Sequence, residues 1–227
     1  EALNGDHRFS RLNPGVELDW AAAYWLTLRA GYAETNRAPT PAELSCADED
    51  APCSLANFFV GDPPLEQVVA RSWELGASGN TQSGGWRLDY LLSAYRATNA
   101  DDIQFVASDV RGRAFFRNVG STRRQGVEAT LSAARGPWSL RAGYALSDAT
   151  FRDAFVLGSG ANPEADAEGN ITVSPGDRIP SVPRHRGLVS VDYDGPRFSL
   201  GADLQAQSGV GYVGDEIGAG ERDGARA

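Results

Sequence analysis

The sequence predicts an all-β chain: an antiparallel up-and-down barrel that crosses a membrane. Three observations point there. Apolar and polar residues alternate with a period of two in one segment after another, which suits half-buried strands and not helices. The connections fall into two lengths, short ones rich in Gly and Pro and long ones, taken in turn. Aromatic residues stand directly after the short turns, where a ring is best solvated at a membrane edge.

In chain order, Val16 and Leu18 alternate with Glu17 and Asp19. After a short turn at Ala21 to Ala23, Tyr24, Leu26, Leu28, Ala30 and Tyr32 oppose Trp25, Thr27, Arg29, Gly31 and Ala33. A long connection, Asn36 to Val69, leads to Trp73, Leu75 and Ala77. The turn Asn80 to Gly85 precedes Trp86, Leu88, Tyr90, Leu92 and Ala94, which oppose Arg87, Asp89, Leu91, Ser93 and Tyr95. A link around Asp109 to Arg113 leads to Val127, Ala129, Leu131 and Ala133, opposite Glu128, Thr130 and Ser132. Arg135-Gly136-Pro137 turns the chain into Trp138, Leu140, Ala142, Tyr144 and Leu146, opposite Ser139, Arg141, Gly143 and Ala145. A second long connection, Thr150 to Pro183, reaches Val189, Val191 and Tyr193. Asp194-Gly195-Pro196 then turns into Phe198, Leu200, Ala202 and Leu204. That makes about eight strands, each beside its sequence neighbour, and helix is expected only as a short turn in a loop. Tyr24, Trp86, Trp138 and Phe198 would form the aromatic girdle, while Arg29, Asp89, Glu128, Arg141 and Asp203 would face a wet lumen. The competing reading is a large soluble β-protein with aromatics filling its core.

Composition narrows the function. The 227 residues hold 21 basic residues, all Arg, against 30 acidic ones, a net charge of -9. This balance excludes the basic face of a nucleic-acid binder. The most apolar stretch, Trp20 to Leu28, is much shorter than the ~20 residues of a membrane helix. Nothing at the start reads as a signal peptide. With no Met anywhere and Glu1 first, the chain is expected to be a piece of something longer.

Several runs resemble one family. Gly31 to Leu44 is similar to its strand-to-loop exit, and Arg71-Ser72-Trp73-Glu74-Leu75-Gly76 to a later strand. The most specific run, Phe115 to Glu128, carries Asn118, Gly120, Arg123, Gly126 and Glu128 at the fixed places of N-x-G-x-x-R-x-x-G-x-E. Gly176-Asp177-Arg178-Ile179-Pro180 and Pro183-Arg184-His185 look like re-entry from a long loop, and Asp215-Glu216 follows the last strand as in the family. Together, and in this order, they resemble the C-terminal half of the barrel of TonB-dependent outer-membrane receptors.

The resemblance implies a segment of about eight strands from a barrel of about 22, whose lumen is plugged by an N-terminal domain. Residues 1–227 would then be a partial barrel domain, with the plug, the TonB box and about three last strands absent. It implies capture of a scarce nutrient (a ferric siderophore, haem or similar metal chelate) at extracellular loops, and import coupled to the TonB energy complex. Its partners would be the plug domain, that complex, the small-molecule ligand and outer-membrane lipid, with no nucleic acid. No cofactor, metal centre or catalysis is expected. A plug-less passive channel or surface-binding barrel is the alternative, and an enzyme using His185 a third.

Cys46 and Cys53, with six residues between them, suit a disulfide pinning the loop tip; free thiols are the alternative. Within the family motif, Asn118, Gly120, Arg123, Gly126 and Glu128 are expected at the lumen or against the plug, with Gly120 and Gly126 allowing a strand bend or bulge and Glu128 pairing with Arg29 or Arg141 or with plug charges. Phe58, Phe59, Arg152 and Phe155 could grip a ligand, or pack loop against loop. Gly209 to Gly214 spells G-x-G-x-x-G without a helix to follow and reads as a barrel rim. The alternation Asn162, Glu164, Asp166, Glu168, Asn170 could offer oxygens to Ca²⁺ but reads as a solvated loop.

Overall fold

A computed structural model describes residues 7–48, 52–53, 65–108, 110 and 113–218. The strands are β1 (Gly15–Ala23), β2 (Leu26–Arg37), β3 (Val68–Ser83), β4 (Trp86–Ala100), β5 (Ile103–Ala107), β6 (Ala114–Asn118), β7 (Thr122–Arg135), β8 (Trp138–Phe151), β9 (Phe155–Gly158), β10 (Asn170–Val173), β11 (His185–Asp194) and β12 (Ser199–Gln207), with one four-residue helix, α1 (Pro41–Leu44). Eight strands form one antiparallel sheet in the order β1-β2-β3-β4-β7-β8-β11-β12. Each pairs with its neighbour along the sheet, and the sheet is open. The two remaining pairs, β5 with β6 and β9 with β10, are separate hairpins inside long loops. Among the described residues no helix is long and apolar enough to cross a membrane, which says nothing of a β-barrel.

The short turns are tighter than the sequence reading drew them. The first turn is Tyr24-Trp25, not Ala21 to Ala23, because β1 runs on to Ala23 across a register shift. Tyr24 therefore sits in the turn instead of opening a strand. Likewise β3 continues to Ser83, leaving Gly84-Gly85 as the turn, both at positive φ, where a side chain would be strained. The link placed at Asp109 to Arg113 is the tip of the β5–β6 hairpin, and the whole excursion from the sheet runs from Asp101 to Ser121.

Paired residues of an antiparallel ladder point to the same face, so the register sorts every side chain. One continuous row holds Asp19, Arg29, Gly76, Ser93, Glu128, Ala145, Arg186 and Gln207. The opposite face presents Leu18, Leu75, Val127, Tyr144, Val189 and Leu204. Leu75, Leu200 and Leu204 are 64%, 67% and 68% exposed. Exposed aliphatic side chains recur on β1, β3, β4, β7, β11 and β12, and such a surface needs an apolar solvent and not water. From Trp138 to Leu146 the strand rises about 27 Å, which tilt brings close to the ~25 Å apolar band of a barrel. At the short-turn end Trp138, Tyr193 and Phe198 pack in series, the first pair edge-to-face and the second tilted, with ring centroids 4.9 Å and 5.2 Å apart.

The buried core therefore lies in the loops. Val106, Phe115, Val119, Ala149, Phe151, Leu157, Ile171, Val173 and Ile179 form one cluster; Ala47, Leu65, Val68 and Ile103 form another. Val68, Ala149 and Phe151 belong to the polar side of the sheet by register. The long loops thus fold inward over the top of that face.

Candidate functional site

The polar face and its loop cover make the candidate site. At mid-sheet a groove of about 650 Å³ is lined by Glu128, Thr130, Gly143, Arg186, Leu188 and Gln205 among others. In the same row, three strands from Glu128, Arg29 pairs with Asp19 at 2.8 Å and Glu17 at 3.2 Å. The partner expected for Glu128 is accordingly not Arg29, whose guanidinium is held by carboxylates on the adjoining strand. Arg29, Asp89, Glu128, Arg141 and Asp203 do share one face, as the alternation requires.

The family-motif residues divide by position. Asn118 ties two loop segments together: its amide nitrogen donates to the Asp101 and Glu66 carbonyls at 2.6 Å and 3.2 Å, and its oxygen accepts from the Glu66 N–H at 2.9 Å. Gly120 has φ 76 and precedes β7, with the Asp153 carboxylate lying where its Cβ would be. Gly126 lies within β7 and its ladder is unbroken, so no bulge forms there. The Tyr95 ring lies over it instead, and the Tyr95 hydroxyl donates to Ser147 at 3.2 Å. Glu128 lines the groove. Arg123, five residues before Glu128 in an unshifted register, points to the opposite face with Val127. The lumen role expected for Arg123 does not fit this odd spacing.

Other expected residues also find places. Cys46 and Cys53 form the disulfide, and both lie against β6: Cys53 bridges to Ala114, and the Cys46 carbonyl accepts from the Phe116 N–H. Phe155 packs on Phe151 at 5.1 Å, with the Arg117 guanidinium 5.9 Å above its ring, which is loop-to-loop packing. Arg152 is exposed, and its backbone N–H donates to Ser121. Phe58 and Phe59 lie outside the described residues. Among the described residues no cluster of His, Cys, Asp and Glu could hold a metal. Asp166 accepts from the Glu168 and Asn170 backbone N–H groups, closing a turn. His185 faces outward beside Tyr144, whose hydroxyl lies 2.8 Å from its Nδ1.

Two polar clusters escaped the sequence reading. Asp102, 4% exposed, accepts from Thr122 Oγ1 at 2.5 Å, Gln104 at 2.9 Å and Arg124 at 3.5 Å. Nothing in the local sequence marks it. The second was legible: Thr40-Pro41-Ala42-Glu43 is a capping box with Pro at the helix start. Arg37 grips Glu43 with both terminal nitrogens at 2.7 Å and 2.8 Å.

Burial pushes the Glu43 carboxyl up, but the hydrogen bonds from Arg37 and the Thr40 backbone outweigh it and hold the group below its usual value. A lowered carboxylate favours the folded loop above its unfolded value of about 4.3, and the benefit fades as pH falls through the folded value. Amide exchange across residues 41–46 should therefore quicken on acidification below about pH 4.3, and Glu43→Gln should flatten that response. An unchanged response in the variant means another group titrates.

The family model described as TonB dependent receptor-like, beta-barrel matches residues 2–225. The chain belongs to the TonB-dependent receptor β-barrel family. It is an outer-membrane protein, and its short turns and long loops mark the periplasmic and extracellular sides. Solved structures share the fold at low identity. The hemophore receptor HasR of Serratia marcescens, solved in complex with its hemophore HasA and heme, aligns with TM-score 0.60 and 17% identity over 88% of this chain and 32% of that one. The ferric enterobactin receptor PfeA of Pseudomonas aeruginosa aligns with TM-score 0.57 and 18% identity over 89% and 29%. The copper transporter OprC aligns with TM-score 0.61 and 17% identity over 85% and 25%. The chain thus spans about a third or less of the length of these structures.

Proposed function

We propose that this chain is late-middle barrel wall of an outer-membrane active-transport receptor, with a plug and further strands supplied by the rest of the parent protein. Such a receptor would capture a scarce nutrient, a ferric siderophore, haem or similar metal chelate, at its extracellular loops and import it with TonB coupling. One observation supports this above the others. The wall is polar on one face and apolar on the other, and its long loops fold inward over the polar face, as a ligand-gathering vestibule above a plugged lumen would need. Structures of similar fold come from proteins described as heme-related, siderophore and copper systems. Glu128 and Arg186 at the groove are the residues we assign to plug contact.

The test is uptake by cells expressing the whole receptor. Radiolabelled ferric siderophores and haem are supplied at nanomolar concentration, with and without a protonophore. Uptake abolished by the protonophore supports active transport. Entry of small solutes that ignores the protonophore and scales with concentration would replace this reading with a passive channel.

A further inference from the structure

The loop cover holds a cleft apart from the lumen groove. It lies between residues 176–182, which re-enter the sheet from the second long loop, and residues 211–218, which follow β12; its volume is about 320 Å³. Its walls are apolar at Ile179, Val182 and Ile217 and acidic at Asp177, Asp215 and Glu216. The segment after β12 is fastened from two sides. Ser159 Oγ and Asn162 Nδ2 donate to the Gly214 carbonyl at 2.6 Å and 3.0 Å, and Asn162 Nδ2 also reaches Asp215 Oδ1 at 3.2 Å. The Ser181 N–H donates to the Gly211 carbonyl at 3.0 Å. Ile179 is buried in the larger loop cluster, and Ile217 packs against it. The glycine-rich run 209–214 and Asp215-Glu216 therefore shape one wall of a built cleft.

Glu216 is the unusual group in it. The residue is 3% exposed. One carboxyl oxygen, Oε1, accepts from the Gly214 N–H at 3.0 Å; the other, Oε2, is buried without a hydrogen-bond partner. A buried acceptor of this kind is costly unless a donor reaches it. The cleft sets three carboxyl groups against one guanidinium, that of Arg178, which donates to the Val182 carbonyl at 3.4 Å. Its acids do not converge on one point: among the described residues no group of three His, Cys, Asp or Glu could hold a metal ion. Acidic groups spread around an apolar wall suit an organic cation, whose stem the wall can hold while the charged end meets a carboxylate.

We propose that this cleft binds a small organic ammonium group, with an N–H donating to Glu216 Oε2 and the alkyl stem lying against Ile179, Val182 and Ile217. A charge-assisted bond of this kind is shorter and stronger than a neutral one. Burial pushes the Glu216 carboxyl up, outweighing the backbone N–H groups of Gly214 and Glu216, and the Asp215 charge adds to the rise. Asp177 and Arg178 are the other charged groups on the cleft. With no cation beside it the carboxyl favours a proton, and an ammonium ion takes that proton's place. Resting on the receptor reading above, this gives the captured chelate a protonated amine arm; the affinity of the cleft itself rests on the loop geometry alone.

The experiment uses the whole receptor in nanodiscs and two probes of equal size, n-butylammonium and n-butanol, titrated by saturation-transfer NMR with empty nanodiscs as the blank. The wild type should bind the ammonium probe about tenfold more tightly than the alcohol, and Glu216→Gln should remove that preference. Affinity for the ammonium probe should also rise with pH above about 4.3, where an ordinary Glu is already ionised, and the Gln variant should lose that rise. Heat-modifiable gel mobility reports folding of the variant. Equal affinity for the two probes in the wild type overturns the proposal without reference to any variant. So does an unchanged preference in the folded Gln variant, or full displacement of the ammonium probe by sodium ion at equal concentration, which makes the cleft an unselective cation surface. Binding is read at equilibrium, without TonB or a proton gradient, so its failure leaves the uptake test standing.

Discussion

Gly126→Ala should sharply lower the yield of folded, heat-modifiable receptor, whereas Gly143→Ala should leave it unchanged. Both glycines lie in the sheet on the polar face, so a general loss of glycine flexibility would affect them alike. Their surroundings differ. A Cβ at Gly126 would overlap the Leu146 carbonyl oxygen and stand 2.8 Å from the Tyr95 hydroxyl, while one at Gly143 would meet nothing within 4 Å. The backbone oxygen cannot move without pulling β7 and β8 apart, so overpacking should cost about 3 kcal/mol or more in the first case and under about 0.5 kcal/mol in the second. Adding Tyr95→Ala to Gly126→Ala should fail to restore folding, because the shorter clash is with backbone. Rescue by the double variant would show that the ring alone demands a glycine. Yield after refolding into detergent, read by gel mobility, decides between them.

The second large effect is expected at Asp102. Its carboxylate is the hub that fastens the β5–β6 hairpin to the first residue of β7, and Thr122 beside it is 0% exposed. Asp102→Ala would strand that buried hydroxyl, which also accepts from the Asn99 amide at 3.3 Å, and leave Gln104 without its acceptor. An unsatisfied buried group costs about 1–3 kcal/mol. Hydrogen exchange of residues 103–118 should then rise about 10- to 100-fold, with β8 and β11 unaffected. Asp102→Asn keeps the shape and one acceptor and should fall between. If exchange in the alanine variant matches the wild type, the apolar cluster of Val106, Phe115 and Val119 holds the hairpin alone.

These two sites show how far a sequence reading reaches here. The period of two is local, and it placed all eight strands of the sheet and put Glu128 on the polar face. Turn boundaries were less legible. Tyr24-Trp25 looks like strand because its aromatics match the girdle pattern, while the chain reverses there. Gly126 stood out by resemblance, but the reason for it, a backbone oxygen from β8 and a ring from β4, comes from residues distant in sequence. Arg123 was misplaced although parity with Glu128 already put the two on opposite faces; the resemblance grouped them by motif and hid the spacing. The capping box at Thr40 could have been read and was not.

The sequence by itself determined the eight strands of the main sheet, the two-faced alternation, the split between short turns and long loops and the partnership of Cys46 with Cys53, because each depends on neighbours within a few residues. Only the tertiary structure decided where the long loops go. Their hairpins fold back over the polar face because Phe151 and Val68, at the strand tops, offer apolar surface there, and because Asp102 and Asn118 find partners only when loops distant in sequence meet. Alternation fixes a face. It cannot fix which loop covers it, since that choice is made by side chains that come together only once the sheet has formed.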